Sequence, residues 1–157
     1  MRRNSDTAGV LAAPPLLFGA AWAAARLLHA VKPMEISRRQ RAALRRAGWA
    51  AVLAGSAISA AVVREFHKAA TAVSPYHATS NLAVGGPYRF SRNPDYIGQT
   101  LIYSGSALVA NSWWPLMLLP PVLAAVQRGV IEREERYLDR RFGDTYRRYA
   151  RRVRRWL

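Results

Sequence analysis

Apolar and basic polar stretches alternate along the whole chain. Four apolar blocks that are nearly free of charge lie at 9–31, 47–63, 96–110 and 113–131. Their lengths approach or reach the ~17–25 residues of a membrane-spanning helix. Polar segments at 32–46 and 64–95 separate them, and the chain becomes strongly polar after residue 131. This pattern predicts an all-α integral membrane protein with about four transmembrane helices and a C-terminal helical segment.

Turn-forming and small residues predict how these helices are connected and packed. Asn111-Ser112 predicts a tight turn, so that the third and fourth blocks form a helical hairpin. Gly143 interrupts the polar C-terminal segment and predicts two short helices there. Along the second block, small residues recur every four positions and predict a face that another helix can approach closely; they are Ala47, Ala51, Gly55 and Ser59.

The charge balance narrows the class of protein. Lys and Arg outnumber Asp and Glu 24 to 9, for a net charge of +15, while 51% of the residues are hydrophobic. A nucleic-acid binder or a membrane protein with basic flanks would have such a composition. Because the arginines lie between and after the apolar blocks, a membrane protein is favoured and no nucleic-acid partner is expected. With no cysteine and only three scattered histidines, no metal site is expected either.

The basic residues also predict the orientation in the membrane. With four spans, the N-terminus, the 64–95 segment and the C-terminal segment share one side, which carries 17 Lys and Arg against six in 32–46. The positive-inside rule then predicts cytoplasmic N- and C-termini in a bacterial-type inner membrane. The first apolar run is long and carries Arg26, so we interpret it as retained rather than as a cleaved signal peptide. Eleven arginines between Arg128 and Arg155 predict contact with anionic lipid headgroups.

The stretch 85–98, between the two apolar halves, combines turn signals with aromatic and cationic side chains. Gly85-Gly86-Pro87 and Asn93-Pro94 favour turns. Aromatic faces together with guanidinium groups suit a flat, charged small molecule, and an interfacial loop at the headgroups would have the same composition. Its aromatic and basic residues are Tyr88, Arg89, Phe90, Arg92 and Tyr96.

A group of acids follows the last apolar block. Glu132, Glu134 and Glu135 supply most of the negative charge in a very basic segment. A carboxylate there would meet a cationic ligand.

These motifs, in this order, resemble the isoprenylcysteine carboxyl methyltransferase family of small integral-membrane methyltransferases, which is related to the phospholipid N-methyltransferases. The family pattern is Leu-Val, Gly-Pro-Tyr, Arg-His-Pro-x-Tyr-x-Gly, a helical hairpin, Glu-Glu, then Phe-Gly-x-x-Tyr-x-x-Tyr and a basic end. The resemblance covers roughly 64–157. The corresponding residues here are Leu82-Ala83, Gly86-Pro87-Tyr88, Arg92-Asn93-Pro94-Asp95-Tyr96-Ile97-Gly98, Glu134-Glu135 and Phe142-Gly143-Asp144-Thr145-Tyr146-Arg147-Arg148-Tyr149.

The resemblance implies S-adenosylmethionine (SAM) as methyl donor, bound at the cytosolic face of the last helices. Residue chemistry agrees, since tyrosine faces suit the sulfonium and the adenine. Arg92 suits the donor carboxylate as a bidentate fork, and Glu134 suits its ammonium or ribose. These two are therefore also the expected catalytic residues. The full set of expected cofactor-binding residues is Leu82, Ala83, Tyr88, Arg92, Asn93, Pro94, Tyr96 and Glu134.

Two positions depart from the family pattern. Asn93 stands where the family has histidine, and an amide donates and accepts hydrogen bonds but does not carry a proton. A histidine-dependent step is therefore not expected. Val130 stands where the eukaryotic prenylcysteine enzymes have an arginine that contacts the substrate carboxylate. Arg128 is the nearest candidate for that contact.

The sequence predicts one methyltransferase domain, 1–157, with an N-terminal transmembrane pair in 1–63 and the cofactor-binding loop, hairpin and C-terminal helices in 64–157. The predicted activity is SAM-dependent methyl transfer to a lipophilic small substrate similar to an isoprenylcysteine carboxylate. One alternative is N- or S-methylation of a phospholipid amine or a hydrophobic thiol. Another is a non-catalytic membrane protein that binds anionic lipid or a partner through its basic tail.

Overall fold

The computed structural model describes residues 13–69 and 81–157. These two ranges contain no β-strand, which confirms the predicted all-α class. The start of the first block, the N-terminal arginines and His77 lie outside the described residues. In chain order the elements are α1 (Pro14–Val31), α2 (Arg41–Lys68), a 3-10 turn (Gly86–Arg89), α3 (Pro94–Val109), α4 (Trp113–Val126), a π turn (Gln127–Ile131), α5 (Glu132–Phe142) and α6 (Asp144–Arg152).

Two helices run further than their apolar blocks. Helix α2 extends beyond 47–63 at both ends. Arg and Ala have high helix propensity, so the helix continues where the sequence becomes polar. Helix α4, the π turn and α5 follow one another without a break from Trp113 to Phe142. The helix ends at Gly143, whose φ of +51° suits glycine. The predicted break at this glycine is therefore confirmed.

Helices α2 and α3 pack closely because glycines face each other across their antiparallel interface. A Cβ at Gly55 would lie 2.5 Å from the carbonyl oxygen of Gly98, and a Cβ at Gly48 would lie 2.5 Å from that of Gly105. Only residues without a side chain allow two helix backbones to approach this far. The contact fixes the N-terminal end of α3 against α2.

The predicted small-residue face of α2 is confirmed with one change. A Cβ at Gly98 would lie 2.8 Å from Ser59 Oγ, and a Cβ at Gly105 would lie 3.0 Å from Ala51 Cβ, so both α2 residues belong to the interface. Ala47 is exposed, and Gly48 takes its place. The reason is geometric: a four-residue repeat drifts by about 40° per step around a helix with 3.6 residues per turn.

A buried cluster joins α1, α3, α4 and the π turn. Tyr103 meets Phe18 and Trp22 of α1 edge-on, at centroid distances of 5.7 Å and 5.8 Å. Such aromatic pairs add to the stabilisation that comes from burying apolar area. The cluster holds the start of α3 against the helix that carries the acidic motif. Its other buried members are Tyr96, Val122, Val126, Val130 and Ile131.

Two helices are long and apolar enough to cross a membrane. They are α2, with 28 residues, and the continuous helix Trp113–Phe142, with 30 residues. Large apolar side chains on them are exposed, for example Leu53 (68%) and Met117 (53%), as expected of a surface that faces lipid. Within the described residues, α1 and α3 do not reach this combination of length and apolarity. Two of the four predicted spans thus correspond to candidate membrane-spanning helices, and four spans stay a prediction.

The hairpin between α3 and α4 turns at Asn111. This residue has a φ of 51°, a left-handed conformation that asparagine tolerates better than other residues with a side chain. Its side chain is buried, and Oδ1 accepts a hydrogen bond of 3.0 Å from the backbone N–H of Ser37. The predicted tight turn is confirmed, and it also anchors the connection between α1 and α2.

Replacement of Asn111 by alanine is expected to lower the free energy of unfolding by about 2 kcal/mol. Alanine resists the left-handed backbone and leaves the Ser37 N–H without its acceptor. Asn111→Gly is the matched control, because it removes the same acceptor but accepts the backbone conformation, and it should cost about half as much. Unfolding in detergent micelles compares the two variants; equal losses would show that the backbone conformation has no effect.

Candidate functional site

The candidate site lies where the loop before α3 meets α2, α5 and α6. Residues 82–85 lead into the 3-10 turn, where Gly86 has a φ of +52°. The carboxylate of Glu65 on α2 lies so close to Gly85 that even a Cβ there would overlap it. The loop therefore packs its backbone against α2 because positions 85 and 86 have no side chain.

Tyr88 is held in place from two sides. Its ring meets Phe66 of α2 edge-on, with the centroids 5.8 Å apart, and its carbonyl oxygen accepts a hydrogen bond of 2.8 Å from the hydroxyl of Tyr149 on α6. Burial raises the pKa of the Tyr88 phenol, and the negative charges of Asp95 and Glu134 raise this pKa further. Tyr88 therefore stays protonated and offers a neutral aromatic ring close to carboxylates.

Glu134 on α5 is hydrogen-bonded by Tyr96 at the start of α3. The Tyr96 hydroxyl lies 3.2 Å from Oε1 and 3.1 Å from Oε2, so its one proton is shared between the two oxygens. Tyr96 itself is buried in the core cluster. A carboxylate can accept about four hydrogen bonds, so Glu134 keeps acceptor capacity for a ligand.

Arg92, two residues before α3, shares Glu135 with Arg155. Arg92 Nη1 lies 3.3 Å from Glu135 Oε1 and donates to the Tyr146 hydroxyl, also at 3.3 Å. Among the described residues, the buried Nε of Arg92 has no hydrogen-bond partner. An unpaired, buried donor on a cation costs free energy, and a ligand carboxylate that reached this Nε would recover it.

The segment after α6 folds back over the residues that precede α3. The backbone N–H of Arg92 donates to the carbonyl oxygen of Arg154 at 2.9 Å. Ser91 Oγ and Asn93 Nδ2 both donate to the carbonyl oxygen of Arg155, at 3.2 Å and 2.9 Å. The buried amide of Asn93 thus binds the C-terminal segment.

Asp95 brings a further carboxylate to this end of the bundle. Its oxygens accept hydrogen bonds from Gln99 Nε2 at 2.6 Å and from Ser59 Oγ at 3.2 Å. Ser59 belongs to the small-residue face of α2, so the site is tied directly to the α2–α3 interface. The negative charge of Asp95 also raises the pKa of Tyr88.

The structure divides the expected site residues into three groups. The first group is linked at this end of the bundle: Tyr96 hydrogen-bonds Glu134, the charge of Glu134 acts on Tyr88, and Arg92 pairs with the next residue after Glu134. The second group lies in the same stretch of chain, in the loop before α3 and at the first residue of this helix. Its members are Leu82, Ala83, Asn93 and Pro94.

Arg128 forms the third group alone, because it lies on the π turn rather than in this cluster. It is exposed and lines an open cavity of about 280 Å³ together with Leu123, Ala124, Gln127 and Trp156. Trp156 Nε1 donates to Gln127 Oε1 at 3.3 Å. A π turn holds more residues than an α turn and so rotates the side chains that follow it. The expected substrate residue thus belongs to a groove beside the site.

Sequence reasoning gave no role to three residues that the structure brings into the site. Asp95 occupies an unspecified position of the Arg-His-Pro-x-Tyr-x-Gly pattern. Glu135 was noted only as part of an acidic group, although an acid among many arginines signals an ion pair. Arg155 was one of eleven arginines expected to contact lipid, and nothing in the pattern distinguishes it from the others.

Residues 44–145, more than half of the chain, match the family model described as phospholipid methyltransferase. The chain belongs to the phospholipid methyltransferase family. A stretch of 27 residues is 67% identical to an uncharacterized protein of Haemophilus influenzae; it makes up 17% of this chain and 43% of that protein. The match thus spans less than half the length of that relative. No solved structure gives a significant match.

Membership of the phospholipid methyltransferase family confirms the resemblance seen in the motifs. Family membership and the two helices that are long and apolar enough to cross a membrane are the basis on which a membrane methyltransferase is proposed below. The matched range includes Arg92, Tyr96 and Glu134, and ends before α6 is complete. The C-terminal segment that folds back over the site lies outside the match.

Proposed function

We propose that the protein transfers a methyl group from SAM to a lipophilic acceptor. One observation carries this proposal: an arginine with an unpaired Nε pairs with the residue that follows the Tyr96-bound carboxylate of Glu134 in sequence. Arg92 pairs with Glu135, and its neighbour in sequence, Glu134, is hydrogen-bonded by Tyr96. SAM carries both a carboxylate and cationic groups, so it requires both kinds of partner.

Arg92 is the residue that fits the donor carboxylate. Its Nη1 already contacts Glu135 and Tyr146. Its buried Nε, which has no partner in the part of the chain that the structure describes, is the donor that remains for a carboxylate. Paired N–H donors of arginine bind carboxylates with both strength and directionality.

The remaining groups of SAM fit the other expected residues. Glu134 would accept hydrogen bonds from the ammonium or the ribose hydroxyls, and the ring of Tyr88 suits a sulfonium. Leu82 and buried Ala83 would provide apolar surface for the adenine. Asn93 and Pro94 would shape the same wall, with Asn93 fixed through its bond to the C-terminal segment.

Catalysis in this site would come from alignment. When bound, SAM supplies an electrophilic methyl group on a sulfonium. Arg92 would hold the carboxylate of its amino-acid part and Glu134 the ammonium. Buried Tyr96 would fix the direction of the Glu134 carboxylate. Such positioning, with exclusion of water, accelerates a displacement without acid–base work by the protein. A carboxylate or thiolate acceptor needs no base, and an amine needs only to be neutral.

The acceptor is proposed to be lipophilic, since two helices are long and apolar enough to cross a membrane. The resemblance in the motifs favours a carboxylate similar to that of an isoprenylcysteine, while the family match favours a phospholipid amine. A hydrophobic thiol is the third candidate. Arg128, with the apolar residues of its groove, would contact an anionic part of the acceptor. Cytoplasmic termini in a bacterial-type inner membrane would give SAM access from the cytosol.

A binding and transfer experiment tests this proposal. Purified protein in lipid nanodiscs is titrated with SAM and then incubated with methyl-labelled SAM and an isoprenylcysteine analogue, phosphatidylethanolamine or an alkyl thiol. We expect saturable SAM binding and label in one acceptor class. Absence of SAM binding would overturn the proposal and favour a non-catalytic protein, whose exposed arginines should then bind anionic lipid in a salt-dependent way.

A further inference from the structure

We propose that Arg155 is a positioning residue that keeps Glu135 from pairing with Arg92 alone, so that Arg92 can bind the donor carboxylate. The inference rests on the proposed function, because that carboxylate belongs to SAM. Arg155 lies outside the range matched by the family model, so this role concerns the C-terminal segment of this chain.

Glu135 is the link between the two arginines. Arg155 holds both of its oxygens, with Nε 3.1 Å from Oε1 and Nη2 2.6 Å from Oε2. Arg92 reaches only Oε1, through Nη1 at 3.3 Å. The Glu135 side chain is 16% exposed and that of Arg92 is 17% exposed, so water replaces these contacts poorly. One carboxylate thus pairs with two cations, and its bidentate contact with Arg155 determines its orientation.

The bidentate contact between Arg155 and Glu135 has a consequence for Arg92. A carboxylate next to a single guanidinium prefers a bidentate contact. Without Arg155, Glu135 would be free to turn and pair with Arg92 alone, through both Nη atoms of the guanidinium. It would then neutralise the cation that the proposed function assigns to the SAM carboxylate. Arg155 therefore acts by removing an internal competitor for the ligand carboxylate.

The backbone of the C-terminal segment fixes Arg155 in this position. Its carbonyl oxygen accepts hydrogen bonds from Ser91 Oγ and Asn93 Nδ2, on both sides of Arg92 in sequence. The next residue, Trp156, donates to Gln127 Oε1 at 3.3 Å. Hydrogen bonds at residues 154, 155 and 156 thus hold the segment that carries the Arg155 guanidinium.

Two ligands distinguish positioning from general structural support. SAM and decarboxylated SAM share the sulfonium, adenosine and amine, and differ by the carboxylate that Arg92 would bind. In nanodiscs, Arg155→Met is expected to bind SAM about tenfold more weakly than the wild type does. Its affinity for decarboxylated SAM should stay within about twofold of the wild-type value. Arg154→Met is the matched control, because it removes the same charge from an exposed neighbour and should change neither affinity.

The double variant Arg155→Met/Glu135→Gln provides the second measurement. A neutral amide competes less well for Arg92, so this variant should recover most of the lost SAM affinity. If Arg155→Met does not fold, Arg155→Lys replaces it, with a smaller loss expected for SAM alone. Equal weakening of both ligands, or unchanged SAM binding, would overturn the positioning role and leave the proposed function intact. Wild-type protein that binds decarboxylated SAM as tightly as SAM would also overturn it, whereas failure to bind either ligand would overturn the proposed function itself.

Discussion

Glu134→Gln is expected to weaken SAM binding about 100-fold and to remove detectable methyl transfer. Glutamine has the same shape, so the Tyr96 hydroxyl can still donate to the side-chain oxygen of residue 134. The change removes the negative charge and replaces one acceptor oxygen by an NH₂ donor. A cationic ligand group would then meet a donor where it needs an acceptor. Titration of SAM into nanodiscs measures the loss.

Two further variants define the effect of Glu134→Gln. Tyr96→Phe removes the hydroxyl and keeps the carboxylate, so SAM affinity should fall by only about tenfold or less. Glu132→Gln removes a charge two residues earlier, on the opposite side of the helix, and should leave SAM affinity unchanged. Equal SAM affinity in the wild type and Glu134→Gln would exclude this carboxylate from the site. A similar loss in Glu132→Gln would indicate a general effect of charge.

Gly55→Leu is expected to destabilise the fold by on the order of 3 kcal/mol or more. A Cβ at this position would already lie 2.5 Å from the carbonyl oxygen of Gly98, and backbone cannot move aside as a flexible side chain can. The helices would have to separate at the point where Ser59 hydrogen-bonds Asp95. Thermal unfolding in detergent should therefore show a large fall in midpoint, and SAM binding should be lost with it.

Gly19→Ala is the control for a glycine in an open position. A Cβ there would meet nothing within 4 Å, and alanine favours the helix by up to about 1 kcal/mol. Its unfolding midpoint should stay the same or rise slightly. A midpoint of Gly55→Leu within a few degrees of the wild type would show that α2 and α3 do not need this close contact.

The helices of this fold could be predicted from sequence because their apolar blocks are long and their breaks carry local signals. Asn111 and Gly143 mark two of these breaks through their own backbone preferences. The order of the motifs placed Tyr96 and Glu134 in one site although 38 residues separate them. The hydrogen bond between the two was not predicted, because neither periodicity nor the motifs give such a contact.

Other features could not be predicted because they depend on partners distant in sequence. An arginine that contacts lipid and one that pairs with a buried acid look alike in a chain with 24 basic residues, so Arg155 was not recognised. Asn93 was compared with a catalytic histidine, whereas its amide binds the backbone of the C-terminal segment. The start of α2 was placed too late and its end too early, because the prediction followed apolarity rather than helix propensity.

The glycine contacts between α2 and α3 also restrict how a lipid molecule can reach the site. Gly48 and Gly55 are seven residues apart, as are Gly98 and Gly105, so the backbones touch at two points about two helical turns apart. An acyl chain cannot pass sideways between backbones in contact. A lipophilic acceptor of the kind proposed would therefore have to enter on another side of the bundle, with the α2–α3 pair as a closed wall.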